Sequence, residues 1–186
     1  SRCWMAQNIN IGTMTAGKNN QGSDCSSAPE IEKYCYEDTE SNCASDGALY
    51  QWNQTMCGSN AAGSQGICPG GWHIPTHDEF TALEQALCDS KTCVADFPQD
   101  TSAVGWRGTD EGRQLKTGGS SGFEAILAGY RDSDGSFRYR GAFAFLWSST
   151  ESGSNAWRRY LNSGQATVYR DAYPKSYGFS IRCLKD

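Results

Sequence analysis

The sequence predicts an α+β domain that is rich in loops and held together by disulfide bonds. Three observations lead to this class: one strong helix signal in the first half, several strand-like segments in the second half, and nine cysteines among 186 residues. Helices and strands that are segregated along a chain are typical of the α+β class. The length suits one domain, residues 1–186, in which we find no internal repeat and no linker.

We divide this domain into three parts. Residues 1–67 are mostly polar and irregular, residues 68–128 carry the main helix and loops, and residues 129–186 carry the C-terminal strands. The net charge of −5 and the scattered basic residues argue against a nucleic-acid-binding protein. No apolar run approaches the ~18 residues of a transmembrane helix, so we expect no membrane insertion. No signal peptide is visible, and we expect that any such peptide was removed before residue 1.

The cysteines favour disulfide bonds over a metal site. No two of them have the C-x-x-C spacing of zinc ribbons or thioredoxin-type motifs. Disulfides in turn predict an extracellular or cell-surface location, because such bonds persist in oxidising compartments. Short polar loops favour two pairs, Cys35–Cys43 and Cys88–Cys93. A bridge from the C-terminus to the body joins Cys183 to either Cys68 or Cys3, and the spacing leaves both open.

The clearest helix begins at Thr76. This residue is a natural N-cap, and Glu79 three residues later completes a capping box. We expect the helix to end near Cys88 and to bury one apolar face, formed by Phe80, Leu83 and Leu87. Residues 47–56 favour a second short helix, and residues 110–116 favour one or two helical turns.

Strand-like patterns dominate after residue 122. Apolar or alternating segments mark five candidate strands, at 123–130, 141–148, 156–161, 167–171 and 177–184. The turn sequence Asn162-Ser-Gly-Gln165 joins the third candidate to the fourth and predicts a β-hairpin.

Three local motifs carry reactive side chains, and each has a structural explanation that we favour. His73 and His77 are separated by the N-cap at Thr76, so a packed His73 and a first-turn His77 are expected rather than a metal site. Asp132–Gly135 begins like a calcium loop but lacks the rest of that pattern, and predicts a tight turn. Ser148–Glu151 has no histidine nearby in sequence and predicts hydroxyls that close a loop. We therefore expect no catalytic residue, no metal and no cofactor.

The hairpin is the most informative segment. Alternate side chains of a strand point to opposite faces, so Trp157, Leu161 and Val168 are expected to face the core. The other face then presents polar and aromatic side chains: Arg158, Tyr160, Asn162, Thr167, Tyr169, Asp171 and Tyr173. Rigid aromatics mixed with adaptable polar groups are typical of binding surfaces. An ordinary polar strand face is the alternative, because Tyr and Thr also favour strands.

Distinctive sequence blocks follow one another along the whole chain. They are Cys3-Trp-Met-Ala-Gln-Asn-Ile-Asn10, Tyr34-Cys-Tyr36, Gly47-Ala-Leu-Tyr-Gln-Trp52, Gly66-Ile-Cys-Pro-Gly-Gly-Trp-His-Ile-Pro-Thr76, Gly108-Thr-Asp-Glu-Gly112, Leu127-Ala-Gly-Tyr-Arg131, Leu146-Trp-Ser-Ser-Thr-Glu151 and Tyr177-Gly-Phe-Ser-Ile-Arg-Cys-Leu-Lys-Asp186. In this order they resemble the Fibrobacter succinogenes major paralogous domain family.

The resemblance implies a C-type-lectin-like fold over residues 1–186, with the two terminal strands close together and a ligand surface near the C-terminal strands. From Gly129 onward the chain is similar to variable proteins of diversity-generating retroelements, in which codons near the 3′ end are rewritten and the altered side chains are displayed. The resemblance implies a constant framework that includes Trp147, Trp157, Arg159, Leu161, Val168 and Arg170. It implies that the displayed, ligand-binding positions are Arg138, Tyr139, Arg140, Phe143, Phe145, Asn155, Arg158, Tyr160, Asn162, Gln165, Tyr169, Asp171 and Tyr173.

The family pattern also bears on the cysteines and on calcium. Two sets look like additions to the pattern, Cys25–Cys57 and Cys88–Cys93. If each pairs internally, Cys3, Cys68 and Cys183 compete for one bridge, and we favour Cys68–Cys183. The Glu-Pro-Asn, Gln-Pro-Asp and Trp-Asn-Asp triplets of calcium-dependent lectins are absent from the sequence, so that mode of sugar binding is not implied.

Together, these features predict a non-enzymatic ligand-binding domain of receptor or adhesin type, displayed outside the cell and diversified by a retroelement. Its ligand would be an unknown protein or glycan. The alternative is a calcium-independent carbohydrate-binding module of a bacterial surface protein, which would stack sugar rings on Trp or Tyr.

Overall fold

The computed structural model describes residues 2–186 and is mixed α/β, which confirms the predicted combination of helices and strands. The strands are β1 (Thr13–Met14), β2 (Glu32–Lys33), β3 (Trp72–His73), β4 (Gly105–Arg107), β5 (Tyr130–Arg131), β6 (Phe137–Arg138), β7 (Phe143–Ser152), β8 (Asn155–Asn162), β9 (Val168–Pro174) and β10 (Leu184–Lys185). The α-helices are α1 (Glu40–Asp46), α2 (Trp52–Thr55), α3 (His77–Leu87), α4 (Cys93–Asp96) and α5 (Glu111–Leu115), with 3-10 turns at Ala28–Glu30 and Tyr36–Asp38. Within residues 2–186 no helix is long and apolar enough to cross a bilayer.

A four-stranded antiparallel sheet in the order β4-β9-β8-β7 is the centre of the fold. Its hairpin β8–β9 is the one that the turn sequence predicts. The register pairs Tyr160 with Tyr169 across the hairpin, Tyr169 with Trp106 on β4, and Tyr160 with Phe145 on β7. These four side chains therefore belong to one face of the sheet.

Helix α3 covers the opposite face, which we call the inner face. Its capping box is confirmed: the Thr76 hydroxyl accepts from Glu79 N, and the Glu79 carboxylate accepts from Thr76 N. Phe80 lies in a buried cluster with Leu161 and Val168, so these two residues face the core as predicted. Trp157 is also buried, and its ring meets that of His77 edge to face at 4.4 Å.

The N-terminal part packs around a second buried cluster that includes Trp52, Trp147 and Phe179. Both indole N–H groups are satisfied, because Trp52 Nε1 donates to Ser148 O at 2.9 Å and Trp147 Nε1 donates to Tyr50 O at 3.0 Å. Buried indoles of this kind supply apolar area while keeping their polar atom bonded. The sequence compensates in this way for its shortage of aliphatic residues.

All four expected disulfides are present: Cys25–Cys57, Cys35–Cys43, Cys68–Cys183 and Cys88–Cys93. Cys3 is free and exposed. The Cys68–Cys183 bridge closes the longest loop of the four and so constrains the unfolded chain most, by about 4–5 kcal/mol in the chain-entropy model. The two ends of the chain also meet, since Trp4 forms a bridge pair with Leu184 and Met5 N donates to Cys183 O at 3.0 Å.

Three predicted elements are shorter than expected. The helix predicted at 47–56 is limited to α2, because the residues before it form bridge pairs, Tyr34 with Leu49 and Tyr50 with Phe179. The segment 177–184 is a strand only at its end. Upstream, successive residues pair with β5, the segment before α2 and β7 in turn, so no single ladder forms.

The segment 123–130 is mostly irregular rather than a strand. Its backbone turns at Glu124 (φ 55°) and Gly129 (φ 69°), conformations that interrupt an extended chain. Glycine is required at 129, because a Cβ there would lie 2.4 Å from Arg138 O.

Candidate functional site

The face of the sheet opposite α3, which we call the outer face, carries most of the predicted displayed positions. Strand alternation and register bring together Trp106, Phe143, Phe145, Arg158, Tyr160, Asn162, Tyr169, Asp171 and Tyr173. These side chains differ widely in exposure, so the face is divided into a covered part and an open part.

The open part is a continuous series of aromatic rings, which we call the aromatic ridge. Neighbouring ring centroids along it are separated by 5.8 Å (Tyr130–Tyr139), 5.2 Å (Tyr139–Phe143), 5.9 Å (Phe143–Tyr160), 4.3 Å (Tyr160–Tyr169) and 5.1 Å (Tyr169–Trp106). Two of its members are exposed: Tyr139 is 54% accessible, and Trp106, at one end of the series, is 40% accessible. Aromatic pairs at such distances hold each other in place and leave a preformed surface.

Trp106 and Tyr130 belong to the ridge but not to the predicted site. The sequence contains a weak signal for Trp106, which lies between Gly105 and Arg107 in a polar, glycine-rich segment. Only the pairing of β4 with β9 brings it beside the hairpin. Tyr130 joins through its contact with Tyr139, which depends on the turn of the β5–β6 hairpin.

Arg158 is buried, and the prediction that it faces solvent is wrong. Its guanidinium lies 3.5 Å from the Tyr173 ring centroid and donates to both Asp171 oxygens, at 2.8 and 3.1 Å. Phe179 also covers it, at 5.0 Å. The side chain does point to the outer face, as alternation requires, but a distant segment of the chain covers that part of the face.

Phe145 is likewise wrong as a displayed residue, since it is only 5% exposed. Its ring stacks on Phe179 at 5.2 Å and contacts Tyr160 at 5.2 Å. Arg158 and Phe145 together form the layer on which the ridge residue Tyr160 lies.

Other predicted residues lie either around the ridge or apart from it. Arg138 pairs with Asp132 at 2.9 Å and Arg140 pairs with Asp46 at 2.5 Å, and both are exposed. Asn162 is half-buried, and its side chain accepts from Gly164 N in the hairpin turn. Two predicted residues lie apart from the ridge rings: Gln165 is exposed in the turn, and Asn155 pairs with Pro174 at the opposite end of the hairpin.

The tyrosines of the ridge are neutral hydrogen-bonding groups. Burial, with a further contribution from the neighbouring Tyr169 phenol, raises the pKa of Tyr160 to about 12. Burial and the adjacent Asp132 carboxylate raise the pKa of Tyr130 to about 12. At neutral pH both phenols therefore keep their proton, and the Tyr130 hydroxyl donates to Asp132 Oδ2 at 3.4 Å.

The inner face holds a buried polar cluster instead of a surface. Arg159 donates from Nε to Glu84 Oε1 at 2.5 Å and from Nη2 to His77 O at 3.2 Å. His77 lies between Arg159 and Arg170, and burial together with these two guanidinium groups lowers its pKa to about 3. His77 is thus a buried neutral residue and not merely a first-turn residue, while His73 contacts Glu79 and Asp186.

The other two local motifs also have structural roles, although Ser148–Glu151 lies within β7 and not, as expected, in a loop after a strand. Gly135 N donates to Asp132 O at 2.9 Å, which closes the expected tight turn. Ser148 Oγ donates to Trp157 O at 2.8 Å, and Ser149 Oγ accepts from Gly63 N at 2.8 Å. Both hydroxyls therefore hold neighbouring segments together.

The sequence was also compared with known proteins. No curated protein matches it, and no solved structure matches it. The Fibrobacter succinogenes major domain matches residues 1–185. This match spans the N-terminal part, α3 and the hairpin that carries the ridge, in agreement with the resemblance seen in the sequence blocks. The chain therefore belongs to the Fibrobacter succinogenes major domain family.

Proposed function

We propose that this protein is a non-enzymatic ligand-binding domain of receptor or adhesin type, and that the aromatic ridge is its binding surface. The observation that carries the proposal is the continuity of the ridge: six rings, from β4, β5, the loop after β6, β7, β8 and β9, form one partly exposed series on the outer face. Tyrosine and tryptophan supply large contact areas at low cost in conformational entropy, which is why they dominate binding surfaces.

We further propose that the single domain 1–186 is a C-type-lectin-like scaffold displayed outside the cell. The pairing of its two ends supports the scaffold, since Trp4 and Leu184 lie side by side. Four disulfides support an oxidising, extracellular location.

The proposal includes diversification of the C-terminal segment, as in variable proteins of diversity-generating retroelements. The two faces of β8 and β9 support it, because half-buried positions alternate with buried framework positions along residues 159–162 and 168–171. A displayed position has to accept many side chains without loss of the core. The burial of Arg158 and Phe145 removes them from the displayed set. The remaining candidates are Arg138, Tyr139, Arg140, Phe143, Asn155, Tyr160, Asn162, Gln165, Tyr169, Asp171 and Tyr173.

Sequencing the gene from codon 129 to the stop codon in many individuals of the source population tests this proposal. We expect substitutions to concentrate at the outer-face codons for Tyr160, Asn162 and Tyr169. The inner-face codons for Trp157, Arg159 and Arg170 are the matched control, because they alternate with the test codons on the same two strands. Equal variation on both faces would contradict the proposal that the outer face is the displayed one. An invariant segment would contradict the proposal that the gene is diversified.

A further inference from the structure

The indole of Trp106 has one face covered and one face open. The rings of Tyr160 and Tyr169 are nearly parallel, at 16°, and stand almost perpendicular to the indole, at 81° and 86°. The indole centroid is also almost equally distant from both, at 5.3 and 5.1 Å. At these centroid distances, an edge-to-edge contact between the indole and the tyrosines would be a steric clash. The edges of both tyrosine rings therefore meet the same face of the indole.

The opposite indole face therefore accounts for much of the 40% exposure of Trp106. The tyrosine edges, which carry partial positive charge, point at the covered face of the indole and hold the ring in one orientation. The open face is electron-rich, flat and fixed in place. It suits a ligand that presents a flat row of weakly polarised C–H groups, as one side of a pyranose ring does.

The outer face also offers polar groups to the hydroxyls of an extended saccharide. Asp171 follows Tyr169 by two residues on the outer face, and its side chain remains 22% exposed. Both carboxylate oxygens accept from Arg158, yet each keeps further acceptor capacity.

The charges around the ridge are compensated in pairs. Arg158 pairs with Asp171, Arg138 with Asp132 and Asp134, and Arg140 with Asp46. A charged partner would have to compete with these internal pairs, whereas a neutral ligand can use their spare lone pairs and N–H groups. This balance favours a neutral polyhydroxylated ligand over an acidic or basic protein surface.

We infer that the ridge binds a neutral saccharide, with one sugar ring stacked on the open face of Trp106 and neighbouring sugar units hydrogen-bonded to polar side chains of the outer face such as Asp171. The inference rests on the proposed function and names the ligand class of that same surface. Trp106 lies outside residues 129–186, so the proposed diversification would not change the stacking residue. Diversification would instead change the polar side chains of the outer face. The class of ligand would then be constant, and the identity of the sugar would vary.

A panel of soluble polysaccharides tests this inference with the intact protein. The neutral probes are β-glucan, mannan, galactan and xylan, and the acidic probes are polygalacturonate and heparin. We expect at least one neutral probe to bind and to shift the tryptophan fluorescence. Trp106→Ala is expected to weaken that binding at least tenfold, with the melting temperature near that of the wild type.

Two further variants keep the result interpretable. Trp106→Leu retains an apolar side chain over the tyrosine edges without an aromatic face, and it should also lose at least tenfold in affinity. Met14→Ala removes a similarly exposed apolar side chain (38% accessible) on β1, outside the ridge. It is the control and should bind within threefold of the wild type.

Three results would overturn the saccharide inference. They are a wild-type protein that binds none of the neutral probes more tightly than about 10 mM, equal binding by the wild type and Trp106→Leu, and a preference for the acidic probes. The population sequencing described above decides the proposed function separately, because it does not depend on the class of ligand.

Discussion

Both faces of the β8–β9 hairpin carry arginine and aromatic side chains, but the two faces have different environments. On the inner face, Arg159 and Arg170 are buried beneath α3, where Glu84 and His77 contact them. On the outer face, Tyr160 and Tyr169 stack at 4.3 Å and remain partly exposed. Arg159 and Tyr160 are neighbours in the chain, so at this point of the hairpin one step of strand alternation separates a buried position from a partly exposed one.

The comparison shows that a polar side chain can be less replaceable than an aromatic one. A buried guanidinium that has an ion-pair partner leaves an uncompensated charge when it is removed. A half-exposed tyrosine leaves only lost contacts, which water can replace in part. Stability should therefore depend on the inner-face arginines, and recognition should depend on the outer-face rings.

The largest expected effect is that of Arg159→Ala. This change leaves the carboxylate of Glu84 buried without its partner and should lower the free energy of unfolding by about 3–5 kcal/mol. Urea unfolding followed by circular dichroism measures it. Tyr160→Ala, one residue further on the opposite face, is the control and should cost about 1 kcal/mol. Similar losses in the two variants would remove the distinction between the faces.

The second effect is a loss of stability in mild acid, caused by His77. Its pKa lies at about 3 in the folded protein against an ordinary 6.5, so below pH 6.5 the unfolded chain binds a proton that the folded chain does not. Stability should fall by about 2 kcal/mol between pH 7 and pH 5.

The variant His77→Gln checks this assignment, since its unfolding free energy should vary much less over the same range. His73 does not produce the effect, because contacts with Asp186 and Glu79 raise its pKa. The stabilisation that protonated His73 contributes is fully present below pH 6.5 and is lost only as the pH rises above that value. A wild-type protein of constant stability from pH 7 to pH 5 would contradict the buried, neutral state of His77.

The third effect is that of Arg158→Ala, on the outer face but beneath its surface. Loss of the Asp171 ion pair and of the Tyr173 contact should cost about 1–2 kcal/mol. Arg158→Lys keeps the charge but not the two-pronged geometry, and it should recover only part of the loss. Thermal unfolding of both variants measures this. If Arg158→Ala did not change the stability, Arg158 would have to be counted again among the candidate displayed positions.

The smallest effect is that of Tyr169→Ala on stability. The ring contacts Tyr160 and Trp106 but remains partly exposed, so the change should cost about 1 kcal/mol or less. Because the indole of Trp106 loses a supporting edge, its fluorescence maximum should move to longer wavelength. An unfolded Tyr169→Ala variant would place this ring in the core instead of on the surface.

Local signals in the sequence predict a large part of this fold. The capping box at Thr76 and Glu79 depends on residues three apart, and the turn at residues 162–165 joins neighbouring strands. Cysteines close in sequence, such as Cys88 and Cys93, have few other partners within reach. Each of these features depends on short-range geometry, which the order of residues specifies directly.

Contacts between distant segments are what the sequence did not reveal. Arg158 and Phe145 are covered by Phe179, which comes from the C-terminal segment. Trp106 reaches the ridge through the pairing of β4 with β9, which joins residues more than sixty positions apart. The alternation of side chains along a strand does not indicate which distant segment packs against each face of the sheet.

The sequence by itself determined the combination of helix and hairpin, the disulfide pairs with the help of the family pattern, and the division of β8 and β9 residues between two faces. Tertiary structure decided which part of the outer face is open, which arginine is buried there, and that Trp106 completes the ridge. The physical reason is that alternation is a property of one strand, whereas exposure is a property of everything that packs against it.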